Sequence, residues 1–237
     1  RTDPAFLAAF AQRCGELGIH RFRIADTVGI WNPATVEKTV RYLTGVTSCA
    51  IGFHGHNDLG MATANTLAAI EGGASSVDVT VNGLGERAGN APLEEVVMAL
   101  QVSMGRDSGI HTTHLMALSR MVADLSGRPL PPGKPVVGGD VFTHESGIHC
   151  QALLREVRTY EPFAPAETGR EGRSFVVGRH SGRAILGHLL DLENHEDSLL
   201  NALLAEVRRR AVLYRRGIDI DELRRMWELL AQDGKTA

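Results

Sequence analysis

Cysteine is scarce in this sequence and follows no regular spacing. Only three of the 237 residues are cysteines, Cys14, Cys49 and Cys150, and no two of them form a CxxC pair. Disulfide-stapled domains and cysteine-based metal sites both need closely ordered cysteines. The sequence therefore argues against both and indicates the reduced thiols of a cytoplasmic protein.

Long apolar runs and an excess of basic residues are also missing. No apolar run approaches the roughly 20 residues that a membrane span requires. The net charge is −3 and the isoelectric point is about 6.4, which argues against a nucleic-acid or anionic-membrane partner. The arginine-rich run at 208–210 is interpreted as a solvated helix face.

The first residues contain neither an initiator methionine nor a signal-peptide pattern. They lead directly into a helix start, because Asp3 is a typical N-cap and Pro4 suits the first helical position. From this opening we expect the chain to be part of a longer protein.

The first half of the sequence alternates between helical and strand-like patterns. Apolar residues at helical spacing predict four helices, and runs with period-two alternation predict three strands between them. This order predicts parallel strands with right-handed crossovers. The predicted helices cover 4–17, 33–43, 61–71 and 93–104, and the predicted strands cover 19–26, 50–56 and 77–81.

A proline-rich segment marks a boundary in the chain. Residues 127–135 hold four of the nine prolines, and the patterns beyond them are mostly helical. A strand-like run at 174–177 interrupts this part, before helices predicted at 196–215 and 219–232. The predicted organisation is βα units over 1–126, a Pro/Gly-rich linker over 127–142 and a mainly helical subdomain over 143–237.

The most informative segment is 51–60, Ile-Gly-Phe-His-Gly-His-Asn-Asp-Leu-Gly. Side chains alternate along a strand, so His54 and His56 share one face while Ile51 and Phe53 share the other. In a βα barrel the apolar face packs on the helices, and active sites lie at the carboxyl ends of the strands. Neutral imidazoles are good ligands for divalent transition metals. The pair therefore predicts a metal site.

The sequence of this segment also fits other kinds of structure. A bare His-x-His pair also fits two histidines that cap a strand and bond to the backbone, although the Asn57-Asp58 sequence after the pair favours a metal site. Asp58 is predicted either to orient a ligating histidine or, preferably, to cap the next helix. The zinc-hydrolase pattern His-x-His-x-Asp-His fails at Leu59, and amidohydrolases place their pair earlier in the barrel.

Residues 83–88, Gly-Leu-Gly-Glu-Arg-Ala, fit the GxGxx[GA] pattern of dinucleotide-binding loops. However, the helix signals Asn90 and Pro92 come too late for these glycines to open the helix. The preferred interpretation is a loop whose backbone approaches a ligand, with Glu86, Arg87 and Asn90 aimed at it. A solvated loop is the alternative.

Five motifs give the sequence a resemblance to a known family. Residues 53–62, Phe-His-Gly-His-Asn-Asp-Leu-Gly-Met-Ala, resemble the second signature of the isopropylmalate and homocitrate synthases. The segment 80–85, which overlaps the motif at 82–90, looks most like the homocitrate synthases of nitrogen fixation. Four further segments are similar to family motifs in the family's order, namely 26–29, 82–90, 144–149 and 178–183.

The resemblance implies an α/β fold, namely the C-terminal portion of a TIM (β/α)8 barrel followed by a smaller, mainly helical subdomain. It also implies a Claisen-type condensation of acetyl-CoA with a 2-oxo acid and water. A divalent metal (Mg, Mn, Zn or Co) and a homodimer are expected. The expected oxo acid is 2-oxoglutarate, giving homocitrate for the nitrogenase cofactor. The alternatives are a 2-isopropylmalate synthase that uses 2-oxoisovalerate, and an inactive binding module.

The resemblance also implies roles for residues of the barrel part. His54 and His56 would ligate the metal, with Asn90 as a further ligand. Thr27 would bind the substrate carboxylate, although a strand-terminal threonine is often only a cap. Glu86 in the glycine-rich loop is a catalytic candidate.

Two further catalytic candidates follow the barrel part. His149 and Tyr160 match family residues that reach the acetyl-CoA site of a partner subunit, and His149 would serve in acid–base chemistry. The family's Asp-Arg-Asp-Gly-Glu-Gln-like motif, which carries a metal-ligating aspartate, is absent from this sequence. We therefore expect the chain to be inactive by itself.

Overall fold

The computed structural model describes residues 2–145, 156–192 and 197–233. The chain divides into two compact units. The first comprises Arg1–Leu130 with Pro135–Val137, and the second comprises Pro131–Lys134 with Gly138–Ala237. The predicted linker is thus shared between them. Across the described ranges, no helix is both long and apolar enough to cross a membrane.

The first unit contains the predicted alternation of helices and strands. Helix α1 begins directly after Asp3, whose carboxylate accepts the backbone N–H of Ala5 at 3.0 Å, and α2 begins after Asn32, which caps Thr35 in the same way. The helices are α1 (Pro4–Glu16), α2 (Pro33–Val46), α3 (Ala62–Glu71), α4 (Leu93–Val102) and α5 (Leu115–Ser126), and the strands are β1 (Arg21–Asp26), β2 (Ala50–Gly55) and β3 (Ser76–Asp78).

The three strands form a parallel sheet in the order β1-β2-β3, as predicted. One face is apolar, and Ile24, Ile51 and Phe53 are buried there. They pack on helix residues Ala8, Ala11, Val36, Val40, Leu43 and Ala69. Full burial of each large side chain contributes about 1.5–3 kcal/mol. This packing turns the alternate residues, among them Arg23 and His54, to the opposite face.

The third strand is shorter than the sequence predicts. It ends at Asp78, whereas the period-two pattern predicts a strand that reaches residue 81. The backbone of Thr80 instead pairs with the returning chain, accepting the N–H of Leu93 and donating to the carbonyl of Ala91. Asn82 then takes a left-handed conformation, with φ of +61°, which a strand cannot accommodate.

Helix α5 was not assigned from the sequence. Its buried residues Leu115, Met116, Ser119 and Ala123 recur at helical spacing, and Gly127 ends it in a left-handed conformation with φ of +65°. This spacing, with the glycine after it, is the signal that could have found the helix. The polar Ser119 in the middle of the buried stripe obscures it.

The second unit is mainly helical. Its core is a buried apolar cluster that includes Val177, Leu203 and Leu223, and Val177 forms an isolated bridge with Ile218. Its helices are α6 (Arg183–Leu189), α7 (Asp197–Tyr214) and α8 (Ile220–Asp233), and two short strands, β4 (Thr143–His144) and β5 (Ser174–Phe175), pair in parallel. The helices predicted at 196–215 and 219–232 are confirmed.

Candidate metal and active site

His54 and His56 lie side by side at the carboxyl end of β2. Their ring centroids are 4.7 Å apart and the ring planes are nearly perpendicular, at 81°. Both residues are half-buried, and both belong to the sheet face opposite the apolar core. The structure therefore places the two imidazoles together, as the strand alternation predicts.

One nitrogen of each imidazole is already engaged. Nδ1 of His56 lies 3.1 Å from the backbone carbonyl of Asp26, and Nδ1 of His54 lies 3.2 Å from a carboxylate oxygen of Asp78. Since a carbonyl can only accept, Nδ1 of His56 carries the proton, and the carboxylate favours the same tautomer of His54. Both Nε2 atoms then keep a free lone pair, which is the arrangement found in metal-ligating histidines.

Asn90 is joined to this pair through its backbone. It forms an isolated antiparallel bridge with His56, and paired residues of such a bridge lie on the same side. Its side-chain Nδ2 donates to the carbonyl of Leu84 at 3.1 Å, whereas its Oδ1 is buried with no hydrogen-bond partner. A buried oxygen of this kind is normally bound by a hydrogen-bond donor or by a cation.

Glycines shape the loop that carries Asn90. Gly89 has a φ of +94°, and a Cβ there would collide with the carbonyl oxygen of Gly83. A Cβ at Gly85 would lie 2.6 Å from Nδ2 of Asn90. The loop therefore needs glycine for close packing around Asn90. Helix α4 begins only at Leu93, so the loop glycines do not open a helix as they do in dinucleotide-binding folds.

Arg87 connects the loops that follow all three strands. Its Nε and Nη2 donate to the two carboxylate oxygens of Asp58 at 2.8 and 2.9 Å, and Nη2 also donates to the carbonyl of Thr27 at 2.8 Å. This hydrogen-bonded ion pair lowers the pKa of the Asp58 carboxyl and raises the pKa of Arg87. The contact stabilises the carboxyl-end loops of the sheet against one another.

Both roles considered for Asp58 are wrong. Its carboxylate bonds Arg87, whereas the Nδ1 partners of the histidines are Asp78 and Asp26. The helix N-terminus is served by Asn57, whose Oδ1 accepts the N–H of Ala62 at 3.0 Å. The chain turns at Gly60, with φ of +72°, and this turn brings Asn57 rather than Asp58 under the first turn of α3.

These donors fit a divalent ion as a partial ligand set. Two imidazole nitrogens and one amide oxygen suit zinc, manganese or cobalt. Within the described ranges, no group of three or more His, Cys, Asp or Glu residues is arranged to hold a metal. The remaining coordination positions would therefore fall to water, substrate or further protein groups.

The other predicted site residues of the first unit are exposed. Thr27 lies just beyond β1, and it lines an open cavity of about 430 Å³ with Arg23 and Asp26. The side chain of Glu86 is 86% exposed and contributes to no cluster with the histidines. The remaining two candidates fall elsewhere: Tyr160 is 41% exposed in the second unit, and His149 lies outside the described residues.

Sequence reasoning missed Asp78. Its Cα is paired with that of His54 in the parallel register of β2 and β3, so the two side chains are neighbours on one face. The carboxylate of Asp78 also forms an ion pair with Nε of Arg23, at 3.2 Å. An acidic residue within the next predicted strand, 77–81, was the available signal.

Comparison with known proteins identifies two successive family segments. Residues 1–122 match the family described as HMGL-like, which is more than half of the chain. Residues 136–211 match the family described as homocitrate synthase post-HMGL domain-like. The two matches follow each other in the same order as the two units.

Relatives with assigned activities are similar over nearly the whole chain. Homocitrate synthase 1 of Nostoc sp. is 47% identical over 227 residues, covering 94% of this chain and 59% of the relative. 2-Isopropylmalate synthase 2 of Caldanaerobacter subterraneus is 46% identical over 242 residues, covering 99% of this chain and 62% of the relative. The chain thus spans about three fifths of the length of these relatives.

A solved structure with the same fold is an HMG-CoA lyase of Acinetobacter baumannii in complex with coenzyme A and 3-methylmalate. It is 28% identical, has a TM-score of 0.50, and covers 56% of this chain and 46% of the lyase chain. The expected portion of a TIM barrel followed by a mainly helical part is thereby confirmed. The chain therefore belongs to the HMGL-like family and carries the homocitrate synthase type of post-barrel segment.

Proposed function

We propose that this chain is part of an acyltransferase that condenses acetyl-CoA with 2-oxoglutarate and water to give homocitrate and CoA. The observation that carries the proposal is the cluster of His54, His56 and Asn90 at the carboxyl ends of parallel barrel strands, where TIM-barrel enzymes have their active sites. The similarity to homocitrate synthases at 44–47% identity supports the reaction class. A role in supplying the nitrogenase cofactor is part of the same proposal.

The residues of the cluster prepare a metal site before any ligand binds. Asp78 and the carbonyl of Asp26 hold the Nδ1 protons, which leaves both Nε2 lone pairs available. The Oδ1 atom of Asn90 supplies a third donor from the adjacent loop. A divalent ion bound there supplies Lewis acidity, which stabilises negative charge that develops on a substrate oxygen.

The substrate and acid–base groups are proposed around this centre. Thr27 would donate its hydroxyl to a substrate carboxylate from the end of β1, and the cavity beside it gives room for such a group. Glu86, Tyr160 and His149 are proposed for proton transfer. Of these, Tyr160 and His149 would act in the acetyl-CoA site of a partner subunit, as the family resemblance implies. The assembly would be a cytoplasmic homodimer.

A 2-isopropylmalate synthase is the second candidate. It is favoured by the relative from Caldanaerobacter subterraneus, which is 46% identical over a match that covers 99% of this chain. The two reactions share acetyl-CoA and differ in the oxo acid, 2-oxoisovalerate replacing 2-oxoglutarate. The same metal cluster would serve both reactions, so these residues do not separate the two substrates.

The test is a CoA-release assay on the chain joined to the barrel strands that the family resemblance places before it. Acetyl-CoA and a divalent metal are supplied with 2-oxoglutarate, 2-oxoisovalerate or pyruvate. We expect release with 2-oxoglutarate that is lost on chelation and in His54→Ala. His20→Ala, which removes an exposed histidine before β1, is the matched control and should remain active.

Each outcome of this assay has a clear meaning. A preference for 2-oxoisovalerate would keep the reaction class and replace homocitrate by 2-isopropylmalate as the product. Turnover that survives both chelation and His54→Ala would contradict the proposed metal site. The absence of release with every oxo acid would favour a lyase or a binding module.

A further inference from the structure

A turn in the second unit is held rigidly from within. Ser181 is fully buried, and its hydroxyl accepts the N–H of Gly178 at 2.9 Å and donates to the carbonyl of Glu145 at 3.0 Å. The carbonyl of Ser181 accepts from Arg208 at 2.9 Å. A Cβ at Gly178 would collide with the carboxylate of Glu145. The turn 178–181 belongs to a family-like motif that the proposed reaction does not use.

The two exposed side chains of this turn, Arg179 and His180, are both basic. Nε of Arg179 donates to Nε2 of His180 at 2.7 Å, which links the two side chains. They line a cleft of about 490 Å³ together with Arg215 and Arg216, which lie just after the end of α7. Three arginines and a histidine are thus among the residues that line one cleft.

The backbone at Arg215 is a second sign of a built site. Its φ is +51°, a left-handed conformation that is unfavourable for a residue with a Cβ and is usually given to glycine after a helix. Such an outlier suggests a function for the side chain that is kept there. In the described parts of the chain, no carboxylate pairs with Arg179 or Arg215, whereas Arg216 pairs with Glu222 at 2.8 Å.

The lining of the cleft indicates the class of ligand. Guanidinium forks match the oxygens of a phosphate group, and Glu145 is the acidic residue among the lining residues. Ala211 and Val212 add an apolar wall. The cleft volume also falls within the roughly 300–1,000 Å³ of small-molecule sites. We propose that this cleft binds an organic phosphate, independently of the condensation reaction.

The proposal is tested by titration calorimetry on the 237-residue chain at low salt without divalent metal. ADP is the organic phosphate probe, and citrate is a carboxylate probe of similar charge. We expect saturable ADP binding that Arg179→Gln/Arg215→Gln weakens by at least about tenfold. The matched control is Arg224→Gln/Arg225→Gln, which removes two exposed arginines of α8 outside the cleft and should leave the affinity within about twofold of wild type.

A single variant separates ligand binding from folding. Arg215→Gly removes the guanidinium and suits the left-handed backbone, so its melting temperature should not fall while ADP binding weakens. Equal losses in the cleft and control double variants would reduce the effect to general surface charge and overturn the proposal. The absence of saturable ADP binding would overturn it as well, and so would tighter binding of citrate at the same arginines.

Discussion

At the scale of single residues, the candidate site depends on which nitrogen of each imidazole carries the proton. The partners of Nδ1 are a backbone carbonyl for His56 and a carboxylate for His54. A carboxylate behind a ligating histidine orients the ring and raises its basicity. Asp78 is therefore as much a part of the proposed metal site as the ring it contacts.

Replacing Asp78 by asparagine is expected to weaken metal binding by about 10- to 100-fold. The amide accepts a hydrogen bond less strongly and no longer favours the proton on Nδ1 of His54. The measurement is a Co²⁺ titration of the chain, followed by its visible absorption. His20→Ala serves as the control with wild-type affinity. Unchanged binding in Asp78→Asn, together with loss in His54→Ala, would show that the carboxylate is dispensable.

Asn57 and Asp58 provide a second contrast between adjacent residues. Asn57→Ala removes the acceptor of the Ala62 N–H at the start of α3 and should lower the free energy of unfolding by about 1 kcal/mol. Asp58→Ala breaks an exposed ion pair and should cost less. Urea unfolding of the two variants checks the order. A larger loss for Asp58→Ala would show that the ion pair with Arg87 contributes more to stability than the hydrogen bond between Asn57 and α3.

At the scale of structural elements, the glycine-rich loop after β3 is the strongest constraint on the site. It returns the chain so that the carbonyl of Gly89 accepts the N–H of Asn57 and Asn90 pairs with His56. The loop therefore brings an amide from beyond the third strand to the histidines of the second. Its conformation depends on a residue without a Cβ at position 89.

Gly89→Ala should destabilise the first unit more than Gly105→Ala. Both glycines have a positive φ, but a Cβ at Gly105 would meet nothing within 4 Å, whereas one at Gly89 would collide with Gly83. The control variant should therefore lose only the conformational term of about 1 kcal/mol. Gly89→Ala should lose more than about 2 kcal/mol. Thermal unfolding compares the two variants. Equal losses of stability would mean that the loop rearranges around the added Cβ without further destabilisation.

Helix α7 of the second unit carries the clearest pH-dependent element. Glu206 bonds Arg209 and Arg210, and these hydrogen bonds lower the pKa of its carboxyl to about 2. Each such helical pair contributes about 0.2–0.5 kcal/mol. Because the folded pKa lies below the unfolded value of about 4.3, this contribution is present above that pH and is lost as the pH falls toward 2.

The stability difference between wild type and Glu206→Gln should accordingly shrink between pH 5 and pH 2. The measurement is the unfolding midpoint in urea at several pH values. The control is Glu228→Gln, which changes an exposed carboxylate of α8 that has no ion pair in the described part of the chain. A pH-independent difference for Glu206→Gln would contradict the lowered pKa.

At the scale of the whole molecule, the described residues supply only part of the proposed catalytic centre. The first unit has three parallel strands, whereas a closed TIM barrel needs eight. The candidate ligands number two imidazoles and one amide, and the described ranges hold no larger cluster of metal-binding side chains. A reaction that needs a complete coordination sphere and an enclosed site then requires further groups.

We therefore expect no turnover of acetyl-CoA and 2-oxoglutarate by the purified 237-residue chain. CoA release is measured with and without divalent metal, and the same assay on the chain joined to the complementary barrel strands is the positive control. Steady turnover by the chain alone would contradict this expectation. It would also mean that the described cluster is a sufficient metal site.

Much of the first unit could be predicted because its signals are local. Asp3 and Asn32 cap helices with their own side chains, and the alternation of His54 with Phe53 assigns each to a face of β2. Period, caps and turn residues act over a few positions. The same reasoning failed at the end of β3, because Thr80 pairs with residues 91 and 93 and not with a neighbouring strand.

The βα alternation, the histidine pair and the family to which the chain belongs all follow from the sequence alone. The groups that complete the pair depend on the fold, because Asp78 and the carbonyl of Asp26 reach the imidazoles through strand register rather than through spacing along the chain. The fold also determines that Asn57 bonds the first turn of α3 while Asp58 bonds Arg87. Hydrogen bonds between loops compete for the same side chains, and the outcome depends on distances that only folding sets.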